Sequence, residues 1–235
     1  MSVKRGLAVI SGAGSGLGRE IAIALGKRRH AVALLGRHRA TLEPVLELAG
    51  GVGMVYECDV RDAASIERAA KSALGAFGSP EVVIPAAGLA LIAPLEETSA
   101  DDFDSILETN LRGVFLLARA FLPAMRQRER SWLIGILSVA ARRGFPGWSA
   151  YCASKWGLAG LLAALREEVR GTGVRISAVY PGATATALWD GLPGEWNRSA
   201  MLSVAEVARA VCFVLDAPDS AAVEEVVVSP AGGDL

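Results

Sequence analysis

A tyrosine and a lysine, Tyr151 and Lys155, stand four residues apart in a stretch whose composition favours a helix. Side chains at this spacing lie on the same helical face, one turn from each other. Lysine is scarce in this chain, with only Lys4, Lys27 and Lys71 besides, so the pairing is uncommon by chance. A phenol has an ordinary pKa of about 10, and a neighbouring ammonium lowers that pKa by favouring the phenolate. The pair therefore predicts a group that exchanges a proton with a substrate oxygen.

Ser138 precedes this pair and follows a predicted strand directly. Its hydroxyl is placed to hydrogen-bond the same substrate oxygen as Tyr151, although an ordinary turn serine is the alternative. In a reduction the phenol would donate its proton to the developing alkoxide, and in an oxidation the phenolate would accept that proton. The three side chains together predict chemistry at a carbonyl or an alcohol.

A second feature is a glycine-dense segment between the first predicted strand and the helical pattern Arg19–Lys27. Its candidate ligand-binding residues are Ser11, Gly12, Gly14, Ser15, Gly16, Leu17 and Gly18. Glycines allow a sharp turn and a close approach of the backbone to a pyrophosphate, whose charge is stabilised by free N–H groups at a helix N-terminus. A glycine-rich turn without a ligand is the alternative. The strand-to-helix context favours a dinucleotide site.

The end of the second predicted strand bears on the type of dinucleotide. Folds that prefer NAD place a carboxylate there, on the ribose 2′-hydroxyl. This chain instead reads Leu35-Gly36-Arg37-His38-Arg39, with no acid before Glu43. Arginine attracts a 2′-phosphate, so we expect NADP(H) to be favoured, with Arg37 as its ligand and NAD(H) as the alternative cofactor. A solvated surface arginine is the other interpretation of Arg37.

The spacing Gly12-xxx-Gly16-x-Gly18, followed in order by Ser138 and Tyr151-xxx-Lys155, resembles the short-chain dehydrogenase/reductase family. Ser11 stands where that family usually has threonine, and the resemblance covers essentially the whole chain. It implies that Ser138 polarises the substrate carbonyl and that Lys155 also holds the nicotinamide ribose.

The same resemblance implies roles for further residues. Asp59, followed by Val60, would contact the adenine amino group, although a helix cap is nearly as good an explanation of this aspartate. The backbone carbonyl of Asn110 would order a water leading to Lys155, against the alternative of a solvent-facing helical asparagine. The remaining implied cofactor contacts are Ala87, Gly88, Pro181, Gly182, Thr184 and Thr186, the last of these on the carboxamide.

Two positions depart from the family pattern. Pro85-Ala86-Ala87-Gly88 stands where the family usually reads N-N-A-G, and Tyr180 stands before Pro181 where asparagine is frequent. The missing asparagine side chains remove hydrogen bonds between central strands. We expect altered local stability rather than lost cofactor binding, because small residues still allow close approach of the adenosine half.

Short apolar runs alternate with helical patterns along the chain. This alternation is typical of βαβ units and predicts the strands and helices that position the residues above. The predicted strands are Leu7–Ser11, Ala31–Leu35, Gly51–Glu57, Glu81–Ala86, Trp132–Leu137, Val174–Tyr180 and Val223–Val228. Long helical stretches run from Asp101 to Arg130, with a break or final turn at Pro123, and from Ser149 to Arg170. We predict a single domain over residues 1–235, an α/β Rossmann-like doubly wound fold with a mainly parallel seven-stranded sheet and helices on both faces. The irregular region Pro181 to Leu202 predicts a substrate-side loop around 183–202.

Composition narrows the function classes. The chain has 235 residues, 52% of them hydrophobic, and a net charge of −1, which predicts binding to neither nucleic acid nor a membrane surface. No apolar run is long enough to span a bilayer. Three scattered cysteines and two histidines suggest neither a disulfide framework nor a metal site, so a cytoplasmic location is expected.

These features predict an NADP(H)-dependent oxidoreductase that acts on a small-molecule carbonyl or alcohol. The alternatives are a 3-oxoacyl-carrier reductase of the same family and a non-catalytic dinucleotide sensor. The altered Pro85-Ala86 segment favours the sensor. The carrier reductase is favoured by five arginines that could bind an acidic carrier protein, namely Arg126, Arg128, Arg130, Arg142 and Arg143. Family resemblance implies a homodimer or homotetramer, joined through the two long helices and the C-terminal strand. Apolar residues of the substrate-side region would line either a pocket or a subunit interface: Phe145, Trp148, Leu188, Trp189 and Trp196.

Overall fold

The computed structural model describes residues 6–233. Its strands are β1 (Leu7–Ser11), β2 (Ala31–Gly36), β3 (Gly53–Glu57), β4 (Pro80–Pro85), β5 (Ser131–Ile136), β6 (Val174–Pro181) and β7 (Glu225–Val228). Its helices are α1 (Gly16–Lys27), α2 (Arg39–Leu48), α3 (Ala63–Phe77), α4 (Ala100–Leu107), α5 (Gly113–Met125), α6 (Ser149–Glu168) and α7 (Val204–Leu215). The strands form one parallel sheet in the order β3-β2-β1-β4-β5-β6-β7. The predicted Rossmann-like α/β fold is confirmed, and each predicted strand is within two residues of its observed bounds.

Two apolar layers cover the two faces of this sheet. Successive side chains of a strand point to opposite faces, so Val9 packs in one layer and Ile10 in the other. Helices α3, α5 and α6 supply the first layer, and α1, α2 and α7 supply the second. Because both faces are covered, the central strands read as continuous apolar runs instead of alternating ones.

The strand order reverses direction at β1. From β1 the chain moves outward to β2 and β3, then returns to β4 on the other side and continues to β7. In open α/β sheets the crevice at such a reversal, beyond the carboxyl ends of the strands, is the usual place for a ligand. The loops that follow β1 and β4 therefore border the expected cofactor cleft.

The stretch from Asp101 to Arg130 is interrupted before Pro123, and Pro123 lies in the last turn of a helix, which was one of the two alternatives that the sequence left open. It contains α4, a π-helical turn at Glu108–Arg112, and then α5, which includes Pro123 near its end. The interruption thus comes at the segment that holds Asn110. Single π turns inside helices are frequent at functional sites.

The region from Pro181 to Leu202 is irregular, as predicted, but it is anchored at both ends. Thr184 forms an isolated parallel bridge with Leu202, and short 3-10 turns occupy Ala187–Gly191 and Arg198–Ala200. The indole nitrogen of Trp189 donates to the carbonyl oxygen of Thr184 at 2.9 Å. Within the described residues, no helix has the length and apolar character needed to cross a membrane.

Candidate active site

Tyr151 and Lys155 lie on adjacent turns of α6 and face the carboxyl end of β5. The Nζ atom of Lys155 is 5.6 Å from the centroid of the Tyr151 ring and donates to the carbonyl oxygen of Ile136 at 2.9 Å. Lys155 is only 5% exposed, whereas Tyr151 is partly exposed. The structure therefore brings the phenol and the ammonium together at the end of a central strand.

Ser138 joins this pair from the turn that follows β5. Its Oγ accepts a hydrogen bond from the backbone N–H of Ala140 at 3.1 Å, and the hydroxyl lies beside the phenol of Tyr151, whose pKa it lowers. Ser138 is thus both a turn residue and a neighbour of the phenol, so the two sequence interpretations are compatible.

Burial determines the protonation of these groups. Desolvation raises the pKa of the Tyr151 phenol to about 12, and the hydrogen bond with Ser138 opposes that rise only in part. Desolvation also lowers the pKa of Lys155 to about 8. Lys155 directs its Nζ to the Ile136 carbonyl, and the expected lowering of the phenol pKa by the ammonium together with a bound nicotinamide ring stays a prediction. The phenol is therefore neutral at physiological pH and is ready to donate a proton.

Titration of the tyrosines checks this conclusion. The chain has three tyrosines, and burial raises the pKa of each of Tyr56, Tyr151 and Tyr180. We expect tyrosinate absorbance of the protein without added cofactor to stay flat up to about pH 10, the ordinary phenol pKa. A step near neutral pH that disappears in Tyr151→Phe would contradict the assignment.

A cleft of about 490 Å³ runs from Tyr151 and Lys155 to the end of β2. The sequence-predicted residues that line it are Gly12, Ser15, Gly16, Leu17, Arg37, Asp59, Val60, Ala87, Gly88, Tyr151, Lys155 and Thr186. Sequence analysis missed nine further lining residues and assigned Leu188 only to the substrate side. The nine are Gly36, Cys58, Arg61, Ala86, Leu89, Thr109, Ile136, Leu137 and Ala187. Only Arg61 carried a usable pattern, as a cation two residues after Asp59. The others are apolar or small residues that reach the cleft through the fold alone.

The glycine segment shapes the cleft wall beneath the N-terminus of α1. Gly12 and Gly16 have φ angles of +64° and +51°, which side chains other than glycine rarely adopt. A Cβ on Gly12 would come within 2.7 Å of the Ala87 backbone. Ser15 is the exposed N-cap of α1, and its side chain makes no capping hydrogen bond. The free N–H groups, the unused hydroxyl and the absence of side-chain bulk suit a pyrophosphate.

Three predicted residues of this segment contact protein and are not among the residues lining the cleft. A Cβ on Gly14 would lie 2.5 Å from Oγ1 of Thr41, and one on Gly18 would lie 2.3 Å from the Gly12 carbonyl oxygen. Ser11 is buried, and its Oγ accepts from the Ala87 N–H at 3.4 Å. Gly14 and Gly18 thus permit close packing of elements, while Ser11 ties β1 to the loop after β4.

The two arginines after β2 differ in position. Arg37 lines the cleft, whereas Arg39 does not and instead pairs with Glu43 at 3.2 Å along α2. The carboxylate of Asp59 is bound by Arg61, with Nη2 to Oδ2 at 2.8 Å, and this hydrogen bond holds the pKa of Asp59 below its ordinary value. The positive charge of Arg37 therefore faces a cleft whose nearby acid is already paired.

Asp59 is not a helix cap. The N-cap of α3 is Asp62, whose side chain accepts from the Ala64 N–H at 2.9 Å. The capping alternative for Asp59 is thus wrong, and the residue remains a candidate contact for adenine at the wall of the cleft.

Asn110 is fully buried in the π turn and does not face solvent. Its side chain binds both backbone groups of Leu89: Oδ1 accepts from the N–H at 2.8 Å, and Nδ2 donates to the carbonyl at 2.9 Å. Nδ2 also donates to Oγ of Ser154, at 3.0 Å. Because Leu89 lines the cleft, Asn110 connects the loop after β4 to the helix of Tyr151.

The two departures from the family pattern have visible consequences. β4 ends at Pro85, and its register with β5 includes only the pairs Val82–Trp132 and Val83–Leu133. The hydrogen bonds of Ser11 and Asn110 described above hold the loop beyond Pro85.

The second departure, Tyr180, is buried. Its hydroxyl is 3.0 Å from a carboxylate oxygen of Glu225, and the guanidinium of Arg142 stacks 4.2 Å from the centroid of its ring. This cluster joins β6 and β7 to the turn after Ser138.

A second cavity, of about 290 Å³, adjoins the cleft on the substrate side. The predicted aromatic residues Phe145, Trp148, Trp189 and Trp196 line it together with Leu188, so they form a pocket wall in this chain. Pro181, Gly182 and Thr184 line this cavity and are not among the lining residues of the cleft, while Thr186 borders both. Tyr151 also borders both cavities, and Ser138 borders the substrate side. The phenol is therefore positioned between a dinucleotide-shaped cleft and an apolar pocket.

Comparisons with known proteins agree with this geometry. A family model described as short chain dehydrogenase matches residues 6–195. A sepiapterin reductase from Chlorobaculum tepidum is 30% identical over 97% of this chain and 97% of the relative. The structure of an alcohol dehydrogenase from the archaeon Thermococcus sibiricus, complexed with 5-hydroxy-NADP, matches with a TM-score of 0.89 and 31% identity over 96% of this chain and 97% of that chain. A metagenomic short-chain oxidoreductase in complex with NADP matches with a TM-score of 0.84 and 31% identity over the same shares.

Proposed function

Because this chain belongs to the short-chain dehydrogenase family, we propose that it is an NADP(H)-dependent oxidoreductase acting on a carbonyl compound or the corresponding alcohol. The observation that carries the proposal is the position of Tyr151 at the junction of the two cavities, beside Ser138 and one helical turn from Lys155. NADP-complexed structures among its neighbours support the choice of cofactor.

The cofactor would be held by residues that already fit it. The glycine turn and the N-terminus of α1 suit the pyrophosphate, Arg37 suits a 2′-phosphate, and Thr186 borders the cleft near Gly16. Lys155 lines the same cleft and would hold the nicotinamide ribose. When bound, NADP(H) supplies or takes up the hydride.

Tyr151 would act as the general acid in reduction. Its neutral phenol donates the proton to the substrate oxygen as negative charge develops there, and Ser138 donates a hydrogen bond to the same oxygen. In oxidation the direction reverses, and the phenolate accepts the alcohol proton. The positive charge of a bound, oxidised nicotinamide ring would favour that phenolate, and Lys155, one helical turn away, would hold the ribose beside it.

The arginines that suggested an acidic carrier do not form one surface beside the site. Arg126, Arg128 and Arg130 precede β5 and so lie at the amino edge of the sheet, opposite the cleft. Arg128 donates to the Ser79 carbonyl, and Arg142 pairs with Glu225. Arg142 and Arg143 are exposed on the turn after Ser138, so only these two of the five arginines lie beside the site, and the 3-oxoacyl-carrier alternative stays a prediction.

An assay of NADPH oxidation tests the proposal against the sensor alternative. We expect absorbance of NADPH at 340 nm to fall when the protein meets a panel of aldehydes, ketones and 3-oxoacyl thioesters, with a measurable kcat for at least one compound. The matched control is Tyr151→Phe, which removes only the phenol oxygen. Tight NADPH binding without turnover of any compound would favour a dinucleotide sensor.

Self-association stays a prediction. Phe115 on α5 and Trp156 on α6 are 45% and 53% exposed, and Phe213 on α7 is 61% exposed. A homo-oligomer would cover such side chains on the long helices and near the C-terminal strand. A sedimentation mass equal to the 24.5 kDa of one chain would contradict it.

A further inference from the structure

Among residues 6–233, none that lines the substrate-side cavity carries a charged side chain. Its described lining residues are all apolar, aromatic, glycine or hydroxyl side chains, namely Leu17, Leu137, Ser138, Val139, Ala140, Phe145, Pro146, Trp148, Tyr151, Pro181, Gly182, Ala183, Thr184, Thr186, Leu188, Trp189 and Trp196. A carboxylate or phosphate that entered this space would lose its hydration without gaining a cation. Burial of an unpaired charge is strongly unfavourable.

Three cations near this wall make contacts of their own. Arg198 donates to the Thr186 carbonyl at 2.7 Å and pairs with Asp190 at 2.8 Å. Lys155 donates to Ile136 and lines the cofactor cleft, not this cavity. Arg143 packs with its guanidinium 4.7 Å from the Phe145 ring centroid, and Arg143 itself is not among the lining residues.

A row of aromatic rings extends from the reacting phenol into the cavity. Trp148 meets Tyr151 edge to face at 5.3 Å, Trp189 meets Trp148 in the same manner at 5.8 Å, and Trp196 lies tilted at 4.7 Å from Trp189. Trp189 is held by its hydrogen bond to Thr184, and the Trp196 ring rests over Gly194. Ring faces and edges at these angles favour further aromatic contact.

The size of the cavity indicates how large a group it can enclose. A volume of about 290 Å³ is at the lower end for small-molecule sites. One ring with a short substituent fits such a space, and its carbonyl would reach Tyr151 and Ser138 at the near end.

We propose that this site takes neutral ring-containing carbonyl compounds, chiefly aryl ketones and aldehydes or their alcohols, and rejects substrates with an anionic group on the part that enters the cavity. This inference rests on the proposed function. The uncharged wall supplies the rejection, and the row of indoles supplies the preference for a flat ring over a flexible chain, which loses more conformational freedom on binding.

Four ketones test the proposal through kcat/KM with NADPH. 4-Isopropylacetophenone and methyl 4-acetylbenzoate are neutral, 4-acetylbenzoate carries a carboxylate at the far end, and undecan-2-one is a linear ketone with as many carbons as the first. We expect the anion to be at least about 100-fold poorer than its methyl ester, consistent with the cost of burying a charge. We expect the linear ketone to be about 10-fold poorer than 4-isopropylacetophenone, within the cost of immobilising several rotors.

A charge introduced into the cavity wall tests whether the uncharged wall, and not a lower chemical reactivity of the anionic ketone, causes the rejection of anions. Leu188→Arg adds a cation at a lining position of the cavity. We expect the kcat/KM for 4-acetylbenzoate, divided by that for its methyl ester, to rise about 10-fold, because the arginine can form one charge-assisted hydrogen bond with the carboxylate. Leu95→Arg is the matched control, because Leu95 is 71% exposed and not among the lining residues. In Leu95→Arg the ratio of kcat/KM for the anion to that for the ester should equal the wild-type ratio. Circular dichroism would confirm that both variants are folded.

The outcomes separate the two proposals. Turnover of the anion or of the linear ketone within two-fold of its neutral ring partner overturns the substrate class, as does an unchanged ratio in folded Leu188→Arg. Turnover of other carbonyl compounds but none of these four also overturns it. Absence of turnover with every carbonyl compound contradicts the oxidoreductase function itself.

Discussion

Replacing Tyr151 by phenylalanine is expected to lower kcat about 10²- to 10⁴-fold, the usual contribution of a positioned general acid or base. The ring and its edge-to-face contact with Trp148 remain, so the cavity wall is kept and only the proton donor is lost. NADPH affinity, measured by fluorescence titration, should stay within about two-fold, because only a phenol oxygen is removed from the cleft.

The control for this variant is Tyr56→Phe. Tyr56 lies on the edge strand β3, away from α6 in both sequence and structure. Among the described residues, its hydroxyl donates to the sulfur of Met54 at 3.6 Å. Its kcat should match that of the wild type. A nearly normal kcat in Tyr151→Phe would refute the proton-transfer role, whereas equal losses in both variants would point to a general effect on folding.

Replacing Arg37 by aspartate is expected to shift the ratio of dissociation constants for NADPH and NADH by about 100-fold toward NADH. The variant removes a charge-assisted hydrogen bond to the 2′-phosphate, worth about 1.5–3 kcal/mol, and supplies a carboxylate that suits a free 2′-hydroxyl. The unfavourable charge of Asp59 is already compensated by Arg61, so the charge of residue 37 dominates this end of the cleft.

Arg39→Asp is the matched control. It makes the same change of charge two residues away, at a side chain that pairs with Glu43 and is not among the residues lining the cleft. Both affinities are read by isothermal calorimetry at fixed ionic strength, since phosphate contacts weaken with salt. A Kd ratio that moves equally in the two variants would show that Arg37 acts only through the general field and does not bind the phosphate.

Local patterns were enough to determine the fold and the main chemical groups. The spacing of Tyr151 and Lys155 places them on one helical face, and the glycine turn after β1 needs only neighbouring residues to form. Strand positions were predicted within two residues, because continuous apolar runs bounded by glycine and proline depend on nearby sequence. For the long stretch beginning at Asp101 a break or a final turn was expected at Pro123, and the π turn at Glu108–Arg112 was not predicted, because no proline lies within it.

Tertiary structure alone decided which residues meet and what their protonation is. Sequence analysis favoured Arg37 over Arg39 as the phosphate ligand, and the packed structure decided that only Arg37 lines the cleft while Arg39 pairs with Glu43. Asn110 becomes a buried clamp on Leu89, twenty-one residues away in the chain. Burial, not the neighbouring ammonium, determines the pKa of Tyr151. Desolvation and contacts between distant segments arise only when the elements pack, whereas periodicity and turn chemistry are local properties that the amino-acid sequence already contains.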